Sequence, residues 1–273
     1  MDREHLYRGQ DGCSLFARVA EPVGKIDVAS LVLLHGGGPD HHSLVPLAAQ
    51  LSDFVRVIIP DIRGYGRSIC KDPDLHRWSQ YACDVVSLLD HLEIEHAIVG
   101  GAGLGGTIAL RTAIEHPGRI AALVVMSMED VEDDAAKAAE IEFMEDFTRR
   151  VRRHGLEAAW EPILPDLAPV IGAMVKEAIP RACPESIAAA AAIGRDRAFR
   201  NIAELAHIKV PALIIPGIDW RHPAQVATKA ANMMPQGRMA SIGMSEQLCN
   251  SQDYAEAFAP AIRAFVKSLD DLP

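Results

Sequence analysis

The feature that most constrains the fold is an alternation of short apolar runs with longer stretches of helical periodicity. The runs have the length of buried strands, and the segments between them repeat their apolar residues as amphipathic helices do. This alternation predicts a mostly parallel sheet covered by helices on both faces. The predicted strands are residues 30–34, 55–59, 97–99, 121–126, 212–215 and 239–242, and the predicted helices are residues 44–51, 78–92, 104–115, 224–234 and 253–269.

Two stretches depart from the alternation. The N-terminal segment, which includes residues 15–19, is predicted to form an antiparallel hairpin at one edge of the sheet. From residue 129 to residue 207 the chain has acidic and alanine-rich helical faces, and prolines divide it into several helices. We therefore expect a core formed by residues 1–128 and 208–273, with a helical lid at residues 129–207 inserted after the sixth strand.

Charge and composition argue against several kinds of partner. The 273 residues include 27 Lys and Arg against 37 Asp and Glu, and the net charge of −10 is opposite to that of a nucleic-acid-binding surface. The chain has no apolar run of the roughly 18 residues needed for a membrane span and no leader-like N-terminus. The five cysteines lack disulfide or zinc spacing. We expect a cytoplasmic protein with reduced thiols, no cofactor, no metal and a small-molecule ligand, whereas the oligomeric state is not indicated.

Three segments place glycine-rich or polar turns directly after predicted strands. Residues 33–39 (LLHGGGP) form a turn whose backbone N–H groups can face a ligand without obstruction by side chains. Residues 60–68 (PDIRGYGRS) follow the next strand, and residues 101–106 (GAGLGG) lead from a strand into a helix. In this order and at these separations the segments resemble the α/β-hydrolase superfamily. The resemblance covers nearly the whole chain and implies the α/β-hydrolase fold.

The resemblance implies a nucleophile elbow at the third segment, where family members have the pattern G-x-S-x-G. His116 and Pro117 at the end of the following helix fix the alignment and place Gly103 at the nucleophile position. The resemblance also implies an oxyanion hole formed by the N–H groups of Gly37 and Leu104. Because glycine has no nucleophilic side chain, a serine, cysteine or aspartate mechanism at this position is excluded.

The acid position of the family is retained, whereas the base position is not. Asp219, four residues before Pro223, resembles the acid that follows the penultimate strand, although the loop before it is one residue short. The base should be a histidine after the last strand, but no histidine follows His222, and Glu246 or Gln247 stands near its place. The sequence therefore predicts a degenerate triad that lacks both its serine and its histidine.

Acid–base chemistry without a serine needs other titratable groups in the same pocket. Asp219 and Glu246 follow the last two predicted strands and His42 follows the first glycine-rich turn, so we predict these three as catalytic groups. Each polar side chain also has a structural interpretation, as a helix cap, an ion-pair partner or a solvated group. Asp40, His41 and His42 are too close in sequence to predict a zinc site. Further acid–base candidates are His41, His222, Glu129 and Asp130, and the predicted ligand contacts are Gly36, Gly38, His41, Trp220 and His222.

Three functional hypotheses are compatible with this pattern. The leading one is a protein that binds a small, largely apolar carbonyl or carboxylate compound and, if catalytic, uses non-nucleophilic acid–base and oxyanion chemistry of the lyase, decarboxylase, isomerase or cyclase type. The second is a catalytically inactive small-molecule receptor or interaction protein. The third is a hydrolase in which a carboxylate activates water directly. The fold does not choose between them.

Overall fold

The apolar runs pair into a single sheet in the computed structural model, which describes residues 2–24, 28–129 and 134–269. The strands are β1 (Asp2–Arg8), β2 (Ser14–Ala20), β3 (Ser30–Leu34), β4 (Arg56–Pro60), β5 (Ala97–Ala102), β6 (Ile120–Met126), β7 (Ala212–Ile215) and β8 (Gly237–Met239). The helices are α1 (Val45–Leu51), α2 (Trp78–His91), α3 (Leu104–Glu115), α4 (Asp134–Trp160), α5 (Pro169–Ala178), α6 (Pro184–Ala190), α7 (Ala224–Met233) and α8 (Ser251–Lys267).

The eight strands lie in the order β1-β2-β4-β3-β5-β6-β7-β8. The pairs β1–β2 and β2–β4 are antiparallel, and the other neighbouring strands are parallel. The predicted edge hairpin and the predicted mostly parallel sheet are both confirmed. Because parallel strands need long crossover connections, the helices cover both faces of the sheet.

Alternating residues of the central strands fill two apolar clusters. Along β3, Val32 and Leu34 belong to the cluster beneath α2 and α3, whereas Leu31 and Leu33 belong to the cluster beneath α1 and α8. All four side chains are buried. The near-continuous apolar character of such strands is typical of a sheet buried on both faces. The carboxyl ends of these strands therefore form a rigid edge on which loops can position side chains.

The predicted elements agree with the structure to within a few residues, except at the last strand. The apolar run at residues 239–242 was predicted as the strand, but β8 spans Gly237–Met239 and pairs with β7. Ala240 and Ile242 follow the strand and pack, partly buried, against the cluster beneath α8. Their apolar character therefore reflects burial of the loop after β8 and not strand pairing.

Helices α4, α5 and α6 lie between β6 and β7, and we call residues 134–207 the helical insertion. Helix α4 is interrupted at Gly155, which has a φ of 86° and a ψ of 175°. Its function as a lid stays a prediction, as do the predicted domain boundaries. Within the described ranges, no helix combines the length and the apolar character that crossing a membrane would require.

Candidate functional site

The turn between β5 and α3 presents Gly103 at the carboxyl edge of the sheet. Gly103 has a φ of 50° and a ψ of −116°, and its N–H donates to the carbonyl oxygen of Met126 over 3.0 Å. A Cβ placed on Gly101 would lie 2.5 Å from the carbonyl oxygen of Leu34, and one placed on Gly105 would lie 2.4 Å from the same oxygen. The glycines therefore allow strand and helix to approach closely in a sharp, positive-φ elbow.

The imidazole of His222 faces this elbow. A Cβ placed on Gly103 would lie 3.1 Å from His222 Nε2. On the other side of the ring, Nδ1 lies 2.7 Å from Asp219 Oδ1. The two side chains are only 12% and 11% exposed. A largely buried histidine–aspartate pair is thus directed at the position where a nucleophile would stand.

A single tight turn after β7 positions both members of the pair. Asp219 Oδ1 accepts hydrogen bonds from the backbone N–H groups of Arg221 and His222, each over 3.0 Å. The two ends of the turn lie so close together that a Cβ on Gly217 would be 2.4 Å from the carbonyl oxygen of His222. Acid and base therefore come from one loop, three residues apart. The histidine of the pair therefore follows β7 and not the last strand, where the resemblance placed the base and where none is present.

The hydrogen bonds fix the tautomer of His222. Burial raises the pKa of Asp219, but the hydrogen bonds from the His222 ring and from the backbone N–H groups of His222 and Arg221 outweigh burial, and the pKa lies below its ordinary value. The ionised carboxylate can only accept hydrogen bonds, so Nδ1 of His222 must donate. In the neutral ring Nε2 then carries the lone pair and faces Gly103. Nε2 can therefore accept a proton from a group placed at the Gly103 elbow.

Potential oxyanion donors lie beside the same elbow. A Cβ placed on Gly37 would lie 4.0 Å from Leu104 Cβ and 3.8 Å from the hydroxyl oxygen of Tyr65. Leu104 is the first residue of α3, where backbone N–H groups have no intrahelical partner and the helix dipole favours negative charge. Burial raises the pKa of Tyr65, so its hydroxyl stays protonated near neutral pH. Gly37, Leu104 and Tyr65 therefore lie close together beside the elbow.

The helical insertion packs over this arrangement. A Cβ on Gly38, which has a φ of 107°, would lie 2.9 Å from both Trp160 and Val175 of the insertion. Near the histidine–aspartate pair, Arg221 Nη2 lies 2.8 Å from Glu140 Oε1 of α4. The insertion therefore contacts both the glycine-rich turn and the loop that carries Asp219.

Two histidines predicted to lie at the site have other partners. His41 is buried, and its Nδ1 lies 2.8 Å from Asp61 Oδ1. The side chain of His42 is 47% exposed, and its Nδ1 lies 3.2 Å from Asp40 Oδ1. Donor atoms of Asp40, His41 and His42 lie within 4.8 Å of one another, as in a metal cluster. However, the Asp40 carboxylate already binds the guanidinium of Arg181 through two contacts of 2.9 and 3.0 Å, a cation that a metal would have to displace.

The remaining predicted residues are more scattered. Glu246 is exposed on the loop between β8 and α8, and Trp220 is 64% exposed. Glu129 lies near the elbow, its Oε2 3.5 Å from Thr107 Oγ1, whereas Asp130 lies outside the described residues. The predicted residues closest to the elbow are Gly36, Gly37, Gly38, Gly103, Leu104, Asp219 and His222. Trp220 lies on the same loop as Asp219 and His222, but its side chain is exposed.

The motif at residues 60–68 contains a residue that the sequence argument missed. In this motif Asp61 contacts His41, and Arg63 is fully buried between Asp11 and Asp84. Tyr65 in the same motif instead directs its hydroxyl toward the glycine-rich turn. The sequence did contain a signal for Tyr65, because an aromatic residue with a polar hydroxyl stands there in a loop directly after a central strand.

Comparisons with known proteins place this geometry in context. The Alpha/beta hydrolase family profile matches residues 31–259. The chain is 36% identical over 99 residues to 2-hydroxymuconate semialdehyde hydrolase of Pseudomonas sp. (strain CF600), covering 35% of each protein. It is 28% identical over 222 residues to pimeloyl-[acyl-carrier protein] methyl ester esterase of Vibrio cholerae, covering 75% of this chain and 82% of the esterase. A thermophilic esterase structure from Thermogutta terrifontis matches with a TM-score of 0.82 and 24% identity, over 98% of this chain and 99% of that one.

These similarities differ in what they establish. The chain matches several curated relatives, including the semialdehyde hydrolase, over only 33% to 35% of their own length. The esterase structure shows that the fold is shared along nearly the whole chain. The family profile covers most of the sequence, from β3 to the C-terminal helix, and includes the elbow and the loop after β7. The chain therefore belongs to the alpha/beta hydrolase family.

Proposed function

We propose that this protein is a small-molecule hydrolase in which His222, oriented by Asp219, activates water directly for attack on a carbonyl group. The observation that carries the proposal is the 3.1 Å distance between His222 Nε2 and the position of a Cβ on Gly103. Because Gly103 has no side chain, this space is open to a water molecule or to a substrate atom. In this mechanism a histidine, and not a carboxylate, activates the water.

The proposed reaction proceeds without a covalent intermediate. Nε2 of His222 accepts a proton from the water as its oxygen attacks the carbonyl carbon, and Asp219 stabilises the resulting imidazolium. The N–H groups of Gly37 and Leu104, with the hydroxyl of Tyr65, stabilise the negative charge on the carbonyl oxygen. When the tetrahedral intermediate collapses, His222 returns the proton to the leaving group.

The surroundings favour a compact substrate with an apolar acyl group. Trp160 and Val175 of the helical insertion lie against Gly38, beside the proposed oxyanion donors. Such apolar walls favour apolar substrate groups, while a few polar groups fix the orientation of the carbonyl. The names of relatives, an esterase and a semialdehyde hydrolase, support carbonyl chemistry of this kind.

A second candidate is proton abstraction from carbon by the same base, as the lyase or isomerase hypothesis requires. The observation in its favour is the burial of the pair, with side chains only 12% and 11% exposed, because it restricts the entry of water. An inactive receptor is less well supported. A receptor does not need an imidazole lone pair aligned with an elbow and oxyanion donors.

The test is the hydrolysis of p-nitrophenyl esters of short and medium acyl chains by the wild type and by His222→Gln and Asp219→Asn. We expect His222→Gln to lower kcat by about 10²- to 10⁴-fold, the usual contribution of a general base. The matched control is His96→Gln, which changes an exposed histidine. Equal rates in the wild type and His222→Gln would reject the proposed base, and a loss of rate in Glu246→Gln would restore the carboxylate hypothesis.

Isotopic labelling separates the two candidate reactions. Hydrolysis in H₂¹⁸O should place ¹⁸O in the acid product, and a quenched reaction should show no acyl-enzyme by mass spectrometry. A product formed without ¹⁸O, together with exchange of a substrate C–H in D₂O, would support proton abstraction. Detection of an acyl-enzyme would contradict both.

A further inference from the structure

Arg221 stands between the two members of the histidine–aspartate pair and links them to the helical insertion. Its backbone N–H donates to Asp219 Oδ1 over 3.0 Å, so its main chain is part of the turn that orients the pair. Its side chain leaves the turn, and Nη2 donates to Oε1 of Glu140 in α4 over 2.8 Å. One residue therefore contacts both Asp219 and the insertion.

Aromatic rings and burial strengthen the contact between Arg221 and Glu140. The guanidinium carbon of Arg221 lies 5.3 Å from the centroid of the Phe143 ring and 5.3 Å from that of the Trp220 ring, distances at which a cation and an aromatic ring attract each other. The side chains of Arg221 and Glu140 are only 17% and 12% exposed, so water and salt screen their attraction weakly. Removal of one partner from such a pair leaves a poorly solvated charge, which costs more than the loss of a surface ion pair.

The helix that carries Glu140 is itself held by its neighbours. Glu140 and Phe143 are three residues apart in α4, so both lie on the face of the helix that contacts Arg221. A Cβ on Gly194, in the segment after α6, would lie 2.8 Å from Met144 Cγ, so α4 also packs closely against the rest of the insertion. The position of Arg221 is therefore determined by the insertion as well as by the turn.

We propose that Glu140 and Arg221 are positioning residues, through which the packing of the helical insertion is coupled to the orientation of the His222 imidazole. This inference rests on the proposed function, in which Nε2 of His222 is the base. Nδ1 of His222 lies 2.7 Å from Asp219 Oδ1, and the same oxygen accepts a hydrogen bond from the Arg221 N–H. A shift of the Arg221 main chain therefore moves the oxygen that fixes the tautomer of His222 and directs its ring at Gly103.

Removal of the charge of Glu140 tests this coupling. In Glu140→Gln the side chain keeps its size and an oxygen acceptor for Arg221, but the ion pair is lost. We expect kcat for the p-nitrophenyl esters to fall by about 10-fold with little change in KM, because a small misplacement of a catalytic group is costly even when the substitution lies far from the reacting atoms. The matched control is Glu145→Gln, the same change in the same helix in an exposed ion pair with Arg195, and it should leave kcat unchanged.

The tautomer of His222 provides a readout that does not depend on catalysis. Ring ¹⁵N chemical shifts, followed through a pH titration, distinguish the Nδ1–H tautomer from the Nε2–H tautomer, and His222→Gln assigns the signals. We expect the neutral ring to be Nδ1–H in the wild type and in Glu145→Gln, and a mixture of both tautomers in Glu140→Gln. An ion pair that only stabilises the fold would not change this ratio.

A double variant shows whether Glu140 acts through Arg221. Arg221→Gln should lower kcat and mix the tautomers as Glu140→Gln does. Combining the two substitutions should add no further loss, since both remove the same contact. Arg221→Gln also decides the proposal if Glu140→Gln does not fold.

The possible outcomes separate this inference from the proposed function. A ring that stays Nδ1–H in Glu140→Gln, or an equal change in Glu145→Gln, would overturn the coupling whatever the rates. Additive losses in the double variant would overturn the assignment to Arg221. Mixed tautomers at an unchanged kcat would support the coupling and reject His222 as the base.

Discussion

The backbone at Gly103 has a positive φ, as a serine nucleophile in an elbow would require, and a Cβ there would lie 3.1 Å from His222 Nε2. We therefore predict that Gly103→Ser alone places a hydroxyl within hydrogen-bond reach of His222 and creates a serine nucleophile. The variant should react with a fluorophosphonate probe at position 103, whereas the wild type should not. Its stability should fall by about 1–3 kcal/mol because serine is strained at this φ.

Two variants control for this result. Gly103→Ala adds the Cβ without the hydroxyl, so it should occupy the space for water, lower ester hydrolysis and remain unlabelled. The double variant with His222→Gln should lose the labelling of Gly103→Ser. Labelling that persists without His222, or a folded Gly103→Ser that never reacts, would show that the imidazole does not serve this position.

Tyr65 provides a second prediction at the level of single residues. Tyr65→Phe keeps the ring and removes only the hydroxyl near the Gly37 turn. Loss of one oxyanion donor should lower kcat by about 10²-fold with little change in KM, since the donor acts mainly on charge that develops in the transition state. Steady-state kinetics with the same esters would measure this effect. A rise in KM at constant kcat would instead indicate a contact in substrate binding.

The site residues that could be predicted from the sequence are those located by the path of the backbone alone. Gly37, Gly103, Leu104 and Asp219 follow strands whose carboxyl ends share one edge of the sheet, so motif spacing was sufficient to locate them. The direction of the His222 side chain is determined by the tight turn around Asp219. The periodicity of apolar residues does not predict such a turn, so the role of His222 could not be predicted in this way. His42 shows the opposite case, since it has the right sequence position but bonds to Asp40.

At the scale of elements, one ion pair links the helical insertion to the glycine-rich turn. Asp40, which is buried, binds Arg181 of the insertion through both carboxylate oxygens. We predict that Arg181→Gln lowers the free energy of unfolding by about 1–2 kcal/mol, because it leaves a buried carboxylate with fewer partners. The cost is smaller than for a fully buried pair, since the Arg181 side chain is 41% exposed. Urea denaturation would measure it.

An exposed pair in the same insertion provides the matched control. Arg195 and Glu145 lie 3.1 Å apart with side chains 63% and 45% exposed, so Arg195→Gln should have almost no effect on unfolding. Equal losses in the two variants would mean that the contact to Asp40 is no stronger than a surface ion pair. The Asp40–Arg181 ion pair would then not be what stabilises the packing of the helical insertion against the glycine-rich turn.

Helices and strands could be predicted where the apolar periodicity of the sequence coincides with burial. They were less predictable where tertiary contacts determine their bounds. Residues 30–34 and 104–115 were predicted with the observed bounds because the strand is buried along its whole length and the helix at nine of its twelve positions. The break in α4 at Gly155 was not predicted, since an isolated glycine is often tolerated within a helix. The last strand was predicted two residues too far along the chain, because the partly buried loop after β8 has the same apolar pattern as a strand.

For the whole molecule, a buried histidine links folding to pH. His35 follows β3 at the centre of the sheet and is fully buried. Its Nε2 accepts a hydrogen bond from the Ile62 N–H over 3.0 Å, and its Nδ1 lies 2.8 Å from the Gly36 carbonyl oxygen, to which it donates. One ring nitrogen therefore donates a hydrogen bond and the other accepts one, which is the arrangement of a neutral imidazole. Burial lowers the pKa of His35 below its ordinary value, although Asp61 acts in the opposite direction.

The sign of the pH effect follows from this lowered pKa. Well above pH 6.5 the imidazole is neutral in both folded and unfolded chains, so it has no effect on the pH dependence of stability. As the pH falls below that value, the unfolded chain binds a proton before the folded protein does, and the free energy of unfolding decreases by up to about 1.4 kcal/mol per pH unit until the lower pKa is reached.

In His35→Gln, whose amide can still donate and accept, this slope should disappear. Urea denaturation of both proteins and of the exposed-histidine variant His96→Gln at pH 7.5, 6.5 and 5.5 would measure the slopes. The wild type and His96→Gln should lose stability in parallel, whereas a His35→Gln profile parallel to theirs would show that another group senses the acid.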